Sequence, residues 1–205
     1  MPQPFPRIIV LSGNPRPASR TLAVARAVAG RIRDGLAADP VFNAGAPTDP
    51  VDIDLALLAR DLFADADAAV ATALESVREA GVLVVATPVY KASYTGLLKA
   101  FLDQLPSGGL AGVVAVPVIV SGAPAHLGVA ELHLRPLLGE LGATVAVPAF
   151  SILEAQLPDL DEQVAGWSAA NSGLVQAAVA ALAARASATA APAALVSATG
   201  SERAR

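Results

Sequence analysis

Apolar positions along this chain fall into two rhythms that take turns. The runs Ile8-Ile9-Val10-Leu11, Val82-Leu83-Val84-Val85-Ala86 and Val113 to Val120 have no polar side, as expected of strands buried on both faces. Between them, apolar residues recur with helical spacing. Ser19 is placed to cap a helix from about Arg20 to Leu36, which ends near Gly35 and Pro40. Residues 43–50, NAGAPTDP, are turn chemistry, and Val51-Asp52-Ile53-Asp54-Leu55 alternates as an edge strand would. Asp65 to Ala80 predicts a second helix. A third is capped by Ser93, with Tyr94, Leu97, Leu98, Phe101, Leu102 and Leu105 on one stripe and Pro106 as its stop. After the Ser107-Gly108-Gly109 turn and the strand at Val113–Val120, Ser121-Gly122-Ala123-Pro124 closes that strand. A helix is predicted from about Ala125 to Leu141, and a fifth strand over Thr144–Val147. Residues 151–160 read as irregular, and Asp161 to Arg185 as a last, alanine-rich helix.

Strands alternating with helices predict an α/β fold, a parallel sheet covered by helices on both faces. Five such strands suit the flavodoxin-like order 2-1-3-4-5, with a ligand crevice at the switch point between strands 1 and 3. The loops leaving strands 1, 3 and 4 (residues 12–21, 87–93 and 121–126) are then expected to meet at one mouth. They are also the loops richest in Ser, Thr, Gly, Pro and Arg. Residues 1–185 read as a single domain, and 186–205 as a low-complexity tail expected to be disordered.

Composition narrows the function. Of 205 residues 54% are apolar and 16% charged, with a net charge of -4. No basic stripe is present to displace counterions, which argues against nucleic acid. Cysteine is absent, so disulfides, thiolate nucleophiles and Cys metal sites fall away together. The mean hydropathy is +0.55. However, Leu110–Ala125 is broken by Gly112, Pro117, Gly122 and Pro124, and Trp167–Ala184 is mostly alanine with polar interruptions. Neither predicts a membrane span. With no signal-peptide pattern at Met1–Pro6, the expectation is a cytoplasmic protein that does not engage a membrane.

The first loop carries Ser12, Ser19, Thr21, Arg16 and Arg20 at a helix start, an arrangement that favours an anion. It has neither a GxxxxGK[ST] nor a GxGxxG pattern, so one phosphomonoester fits better than a triphosphate or dinucleotide. The same residues also suit a plain helix cap with solvated arginines. In the second loop Pro88, Val89, Tyr90 and Lys91 could meet a flat ring, although Thr-Pro-Val-Tyr is also an ordinary turn. Ser121 and Gly122 either turn the chain or let its backbone approach a ligand. His126 and His133 are spaced too far apart for a simple metal pair, and no G-x-S-x-G elbow supports hydrolysis.

The segment ATPVYKASYTGLLKAFLDQLP (residues 86–106) resembles the central motif of the NADPH-dependent FMN reductases that serve alkanesulfonate monooxygenases. LSGNPRPASRT resembles that family's phosphate loop at Gly13, Asn14, Pro15, Arg16, Ser19, Arg20 and Thr21, with Asn14 where a serine is usual. VSGAPAHL resembles a third family segment, from Ser121 to Leu127. Some members carry an inserted tyrosine in the helix that follows, linked to flavin transfer and tetramer packing. Here VAELHLRP places Leu132 and His133 in that region.

The resemblance implies hydride transfer from NADPH to FMN, carried by the cofactors rather than by an acid or base of the protein. It implies phosphate held by Ser12, Asn14, Arg16, Ser19, Arg20 and Thr21. The flavin ring would lie on Pro88, Val89, Tyr90 and Lys91, with Ser121 and Gly122 at its flank. Reduced FMN would pass to a separate reduced-flavin-dependent monooxygenase. Related alternatives are an FMN-bound quinone or azo reductase and a flavodoxin-type electron carrier. A receiver domain is excluded, since Ser12-Gly13 and Thr87-Pro88 stand where its acidic residues belong. The long stripe at Tyr94–Leu105 predicts a homodimer or homotetramer, as one sheet face would not cover it.

Overall fold

In a computed structural model, which describes residues 3–64 and 67–190, the chain alternates strands and helices. The strands are β1 (Ile8–Ser12), β2 (Val51–Asp54), β3 (Val82–Pro88), β4 (Val114–Ser121) and β5 (Phe150–Leu153). The helices are α1 (Arg20–Ala38), α2 (Leu55–Leu58), α3 (Ala68–Arg78), α4 (Gly96–Leu102), α5 (Arg135–Glu140) and α6 (Leu160–Ala190). All strand pairs are parallel, in the order β2-β1-β3-β4-β5. Ser12 lies level with Ala86 and with Asp54, whereas β3 continues to Pro88, which lies level with Val120.

The continuous apolar runs work because a strand sends successive side chains to opposite faces. Ile8, Val10, Val82, Val84, Val116 and Val118 join one core with Val24, Val28 and Ile32 of α1 and Val164, Val175 and Val179 of α6. Ile9, Leu11, Leu83, Val85 and Ala115 join another with Val77 of α3, Leu98, Phe101 and Leu102 of α4 and Leu138 of α5. Each fully buried aliphatic side chain contributes about 1.5–3 kcal/mol before chain entropy is set against it. The sheet is thus a shared wall between two cores.

Most of the stripe from Tyr94 to Leu105 is covered inside this second core: Leu98, Phe101 and Leu102 have no exposed surface, while Tyr94 and Leu97 are half-buried at its edge. Its helix is shorter than its pattern, and the cap is Thr95, not Ser93. Ser93 closes a tight turn with Tyr90 instead.

The predicted fifth strand is displaced. Only Thr144 of the Thr144–Val147 segment pairs with the sheet, beside Val114. Arg135 takes the next carbonyls, donating from Nη1 to Val145 at 2.8 Å and from Nη2 to Val147 at 2.6 Å. The strand forms later, at Phe150–Leu153, reaching into the 151–160 stretch that reads as irregular, and a 3₁₀ segment, Glu154–Asp159, follows it.

The predicted helix from Ala125 to Leu141 is likewise broken. It comprises a 3₁₀ turn at Pro124–His126, a π turn at Ala130–Leu134 and then α5. Pro136 has no N–H to return to Leu132, which suits a local widening of the helix. Glu131 on the π turn bonds Arg135 and accepts from the Ala149 amide at 2.7 Å. The Arg135 hydrogen bond is the main reason its carboxyl is held below the usual carboxylate range. Leu132 projects outward, 72% exposed.

Residues 186–190, assigned to the tail from sequence, continue α6, while 191–205 lie outside the described residues. So do Asp65 and Ala66, where the pattern starts the second helix. Among the described residues no helix is long and apolar enough to cross a membrane.

Candidate functional site

The first loop leaves β1 at Ser12, a buried residue whose Oγ has no hydrogen-bond partner among the described residues. Gly13 follows against α4. A Cβ there would stand 2.6 Å from the Leu98 Cβ, so only glycine fits. Its amide donates to Ala86 O at 2.7 Å, which ties the loop to the end of β3. Asn14 Oδ1 accepts from the Arg16 amide at 2.9 Å, and Asn14 Nδ2 donates to Thr21 Oγ1 at 3.0 Å. Asn14 thereby shapes the loop from within. Ala18 holds a left-handed conformation, φ 49°, and its amide donates to Asp54 Oδ2 at 2.9 Å. Ser19 caps α1 by accepting from Leu22 at 3.2 Å.

The two arginines of this loop differ in their surroundings. Arg20 is paired with Glu154 at 3.0 Å. Arg16 is exposed and, among the described residues, has no ion-pair partner. Beside it lies the start of α1, where first-turn amides have no helical acceptor. An unengaged guanidinium at a helix start is suited to an anion.

The second loop leaves β3 at Pro88. Val89 donates its amide to Val120 O at 3.1 Å, and its side chain packs on the cluster of Ile119, Val129 and Ala130. Tyr90 and Ser93 exchange amide bonds of 2.8 and 3.1 Å around Lys91 and Ala92, whose φ angles are 51° and 59°. Two left-handed residues between paired neighbours define a type I′ turn, which normally favours Asn-Gly. The turn presents Tyr90 at 45% exposure and Lys91 to solvent.

Thr95, absent from the residues picked out by sequence, closes this loop. Its Oγ1 donates to Gly13 O at 2.5 Å and accepts from the Leu98 amide at 3.2 Å. Its own amide donates to Thr87 Oγ1 at 3.2 Å, and Thr87 Oγ1 donates to Pro88 O at 3.0 Å. A hydroxyl three residues before the first buried leucine of α4 is the pattern that could have marked it.

In the third loop Ser121 is buried and spends its hydroxyl on its own turn, donating to Ala123 O at 2.8 Å and accepting from the Ala123 amide at 3.1 Å. Gly122 is exposed, and an added Cβ would meet nothing within 4 Å. The loops after β1 and β3 are therefore bonded to each other, and the β3 loop is bonded to the end of β4.

Known proteins bear on this arrangement. The model of the NADPH-dependent FMN reductase family matches residues 6–156. An FMN reductase (NADPH) of Escherichia coli K12 is 36% identical over 138 residues, covering 67% of this chain and 68% of that protein. An NADH-dependent FMN reductase, SfnF, of Pseudomonas fluorescens Pf0-1 is 28% identical over 158 residues, 75% of this chain and 79% of that protein. Among solved structures, the apo form of an NADH:FMN oxidoreductase, EmoB, superposes with a TM-score of 0.67 at 30% identity, covering 88% of this chain and 90% of that one. With the sheet order and the family match in agreement, the chain belongs to the NADPH-dependent FMN reductase family.

Proposed function

We propose that the loops after β1, β3 and β4 bind FMN, with its phosphate on the first and its ring across the other two. The observation that carries this reading is the direct bonding of the first two loops at the β1/β3 switch point, with Arg16 unengaged beside them. The residues present fit the group. The Ser12 hydroxyl oxygen is buried at the first loop with no partner among the described residues, and Gly122 leaves open space at the third.

FMN held there would supply the redox chemistry, as the acceptor of a hydride from NAD(P)H. The chain supplies orientation. Arg16 and the start of α1 hold the phosphate, the Tyr90–Ser93 turn and Gly122 border the ring, and Val89 anchors the ring loop to the sheet. Asn14 and Ser121 act by shaping their loops, since their side chains are occupied there. Ser19 caps α1, and Arg20 is shared with Glu154.

The relatives named above divide between NADPH and NADH, so both are candidate reductants here. On this reading reduced FMN leaves for a separate monooxygenase in the cytoplasm, where the absence of cysteine is no handicap. Purified protein is expected to oxidise NADPH or NADH when FMN is added, followed at the nicotinamide absorbance. Arg16→Ala is expected to weaken FMN about tenfold or more and riboflavin little, because a charge-assisted bond to phosphate is lost. No oxidation of either nucleotide would overturn the reading, as would equal losses for the two flavins.

A further inference from the structure

We infer that Thr95 is a positioning residue that fixes the phosphate loop against the ring loop, through a buried hydroxyl donating to the Gly13 carbonyl. The inference rests on the division of labour just proposed, phosphate on residues 13–21 and ring on 88–93.

Thr95 is 2% exposed and, unlike that of Ser12, its hydroxyl is already engaged within the protein as donor and acceptor, which makes it a framework group and not a ligand contact. Its hydroxyl has one proton, which goes to Gly13 O at 2.5 Å, and its lone pairs receive the Leu98 amide at 3.2 Å. Its amide meets Thr87 Oγ1 at 3.2 Å, whose own proton goes to Pro88 O. Thr95 thus reaches the carbonyl where the first loop begins and, through Thr87, the carbonyl where the second begins. An N-cap needs only the acceptor half of this pattern. The donor half does nothing for α4, and its sole recipient is Gly13.

The contact is also close-fitting, because the backbone at Gly13 leaves no room for a Cβ beside Leu98. Among the described residues no other side chain bonds the Gly13 carbonyl; the Gly13 amide is held by Ala86 O, and the far end of the loop by Asp54 on the Ala18 amide. Without the Thr95 proton, Gly13 O is left buried and unpaired, and the loop can relieve this only by moving away from α4. Such a movement changes the span between phosphate and ring sites while leaving the ring loop in place.

The test compares FMN with riboflavin, which needs the ring loop alone, by fluorescence-quenching titration of the full chain. Thr95→Val removes the hydroxyl at nearly constant shape, both the proton given to Gly13 O and the cap acceptor for the Leu98 amide. It is expected to raise the FMN dissociation constant about tenfold while riboflavin changes less than about twofold, and Thr95→Ser should restore the native ratio. Equal weakening of both flavins, or no change in either, would overturn the inference. Arg16→Ala is measured alongside. If it discriminates between the flavins and Thr95→Val does not, Thr95 is only a cap and the phosphate assignment stands. If Arg16→Ala fails to discriminate, the assignment fails and the inference with it.

Should Thr95→Val not fold, hydrogen exchange on the native protein decides. FMN is expected to slow exchange at the Thr95 and Leu98 amides beyond the slowing that riboflavin gives. Equal slowing would count against the link.

Discussion

Gly13 and Gly122 show how one residue type serves two ends in the loops after β1 and β4. Gly13 is enforced by protein packing, with a Cβ position 2.6 Å from the Leu98 Cβ, whereas Gly122 faces nothing within 4 Å. Gly13→Ala should therefore cost about 1–3 kcal/mol in urea unfolding, because α4 must back away from β1. Gly122→Ala should leave stability within about 0.5 kcal/mol but weaken FMN, since its methyl group enters the space assigned to the ring. A Gly122→Ala protein that binds FMN normally would move the ring away from β4. The arginines make a similar contrast: Arg20 is spoken for by Glu154, so Arg16 is the cation to mutate first.

At the scale of elements, the Tyr90–Ser93 turn holds Lys91 and Ala92 left-handed, a conformation costing roughly 1–2 kcal/mol for a residue with a Cβ. Ala92→Gly should raise the unfolding free energy by about 1 kcal/mol, read as a higher urea midpoint at unchanged slope. No gain would mean that the turn carries no strain. Elements whose cause is local were legible in the sequence. β1, β3 and β4 announce themselves as apolar runs, α1 has its Ser19 cap, and the three site loops follow from where those strands end. Elements governed by distant partners were not. Nothing in Thr144–Val147 itself reveals that Arg135 takes two of its carbonyls and pushes the strand on to Phe150. Pro136 was visible, but its effect on the helix depended on a register that the pattern does not give. Ser93 and Thr95 both qualify as caps by type, and only the fold shows which one faces Gly13. In the same way Asn14 and Ser121 qualify as ligand contacts by type, and only the fold shows that both have hydrogen-bond partners within their own loops.

For the whole molecule, the core on one side of the sheet already covers Leu98, Phe101 and Leu102, the larger part of the apolar stripe of α4. The surface residues that remain are better grounds for assembly: Leu57 and Phe63 after β2 are 71% and 81% exposed, and Leu132 on the π turn is 72% exposed. A dimer or tetramer is expected by light scattering, with Leu132→Glu shifting it to a smaller species. A native monomer at working concentration would contradict this.

The uneven strand ends carry one more consequence. β1 and β2 stop level with Ala86, while β3 runs on to Pro88 and β4 to Ser121. At about 3.3 Å per residue, that step is roughly 7 Å high. On the proposed reading, that difference in height would set the ring of FMN over the longer strands β3 and β4 and its phosphate lower, at the end of β1, so that the flavin would enter in one orientation only.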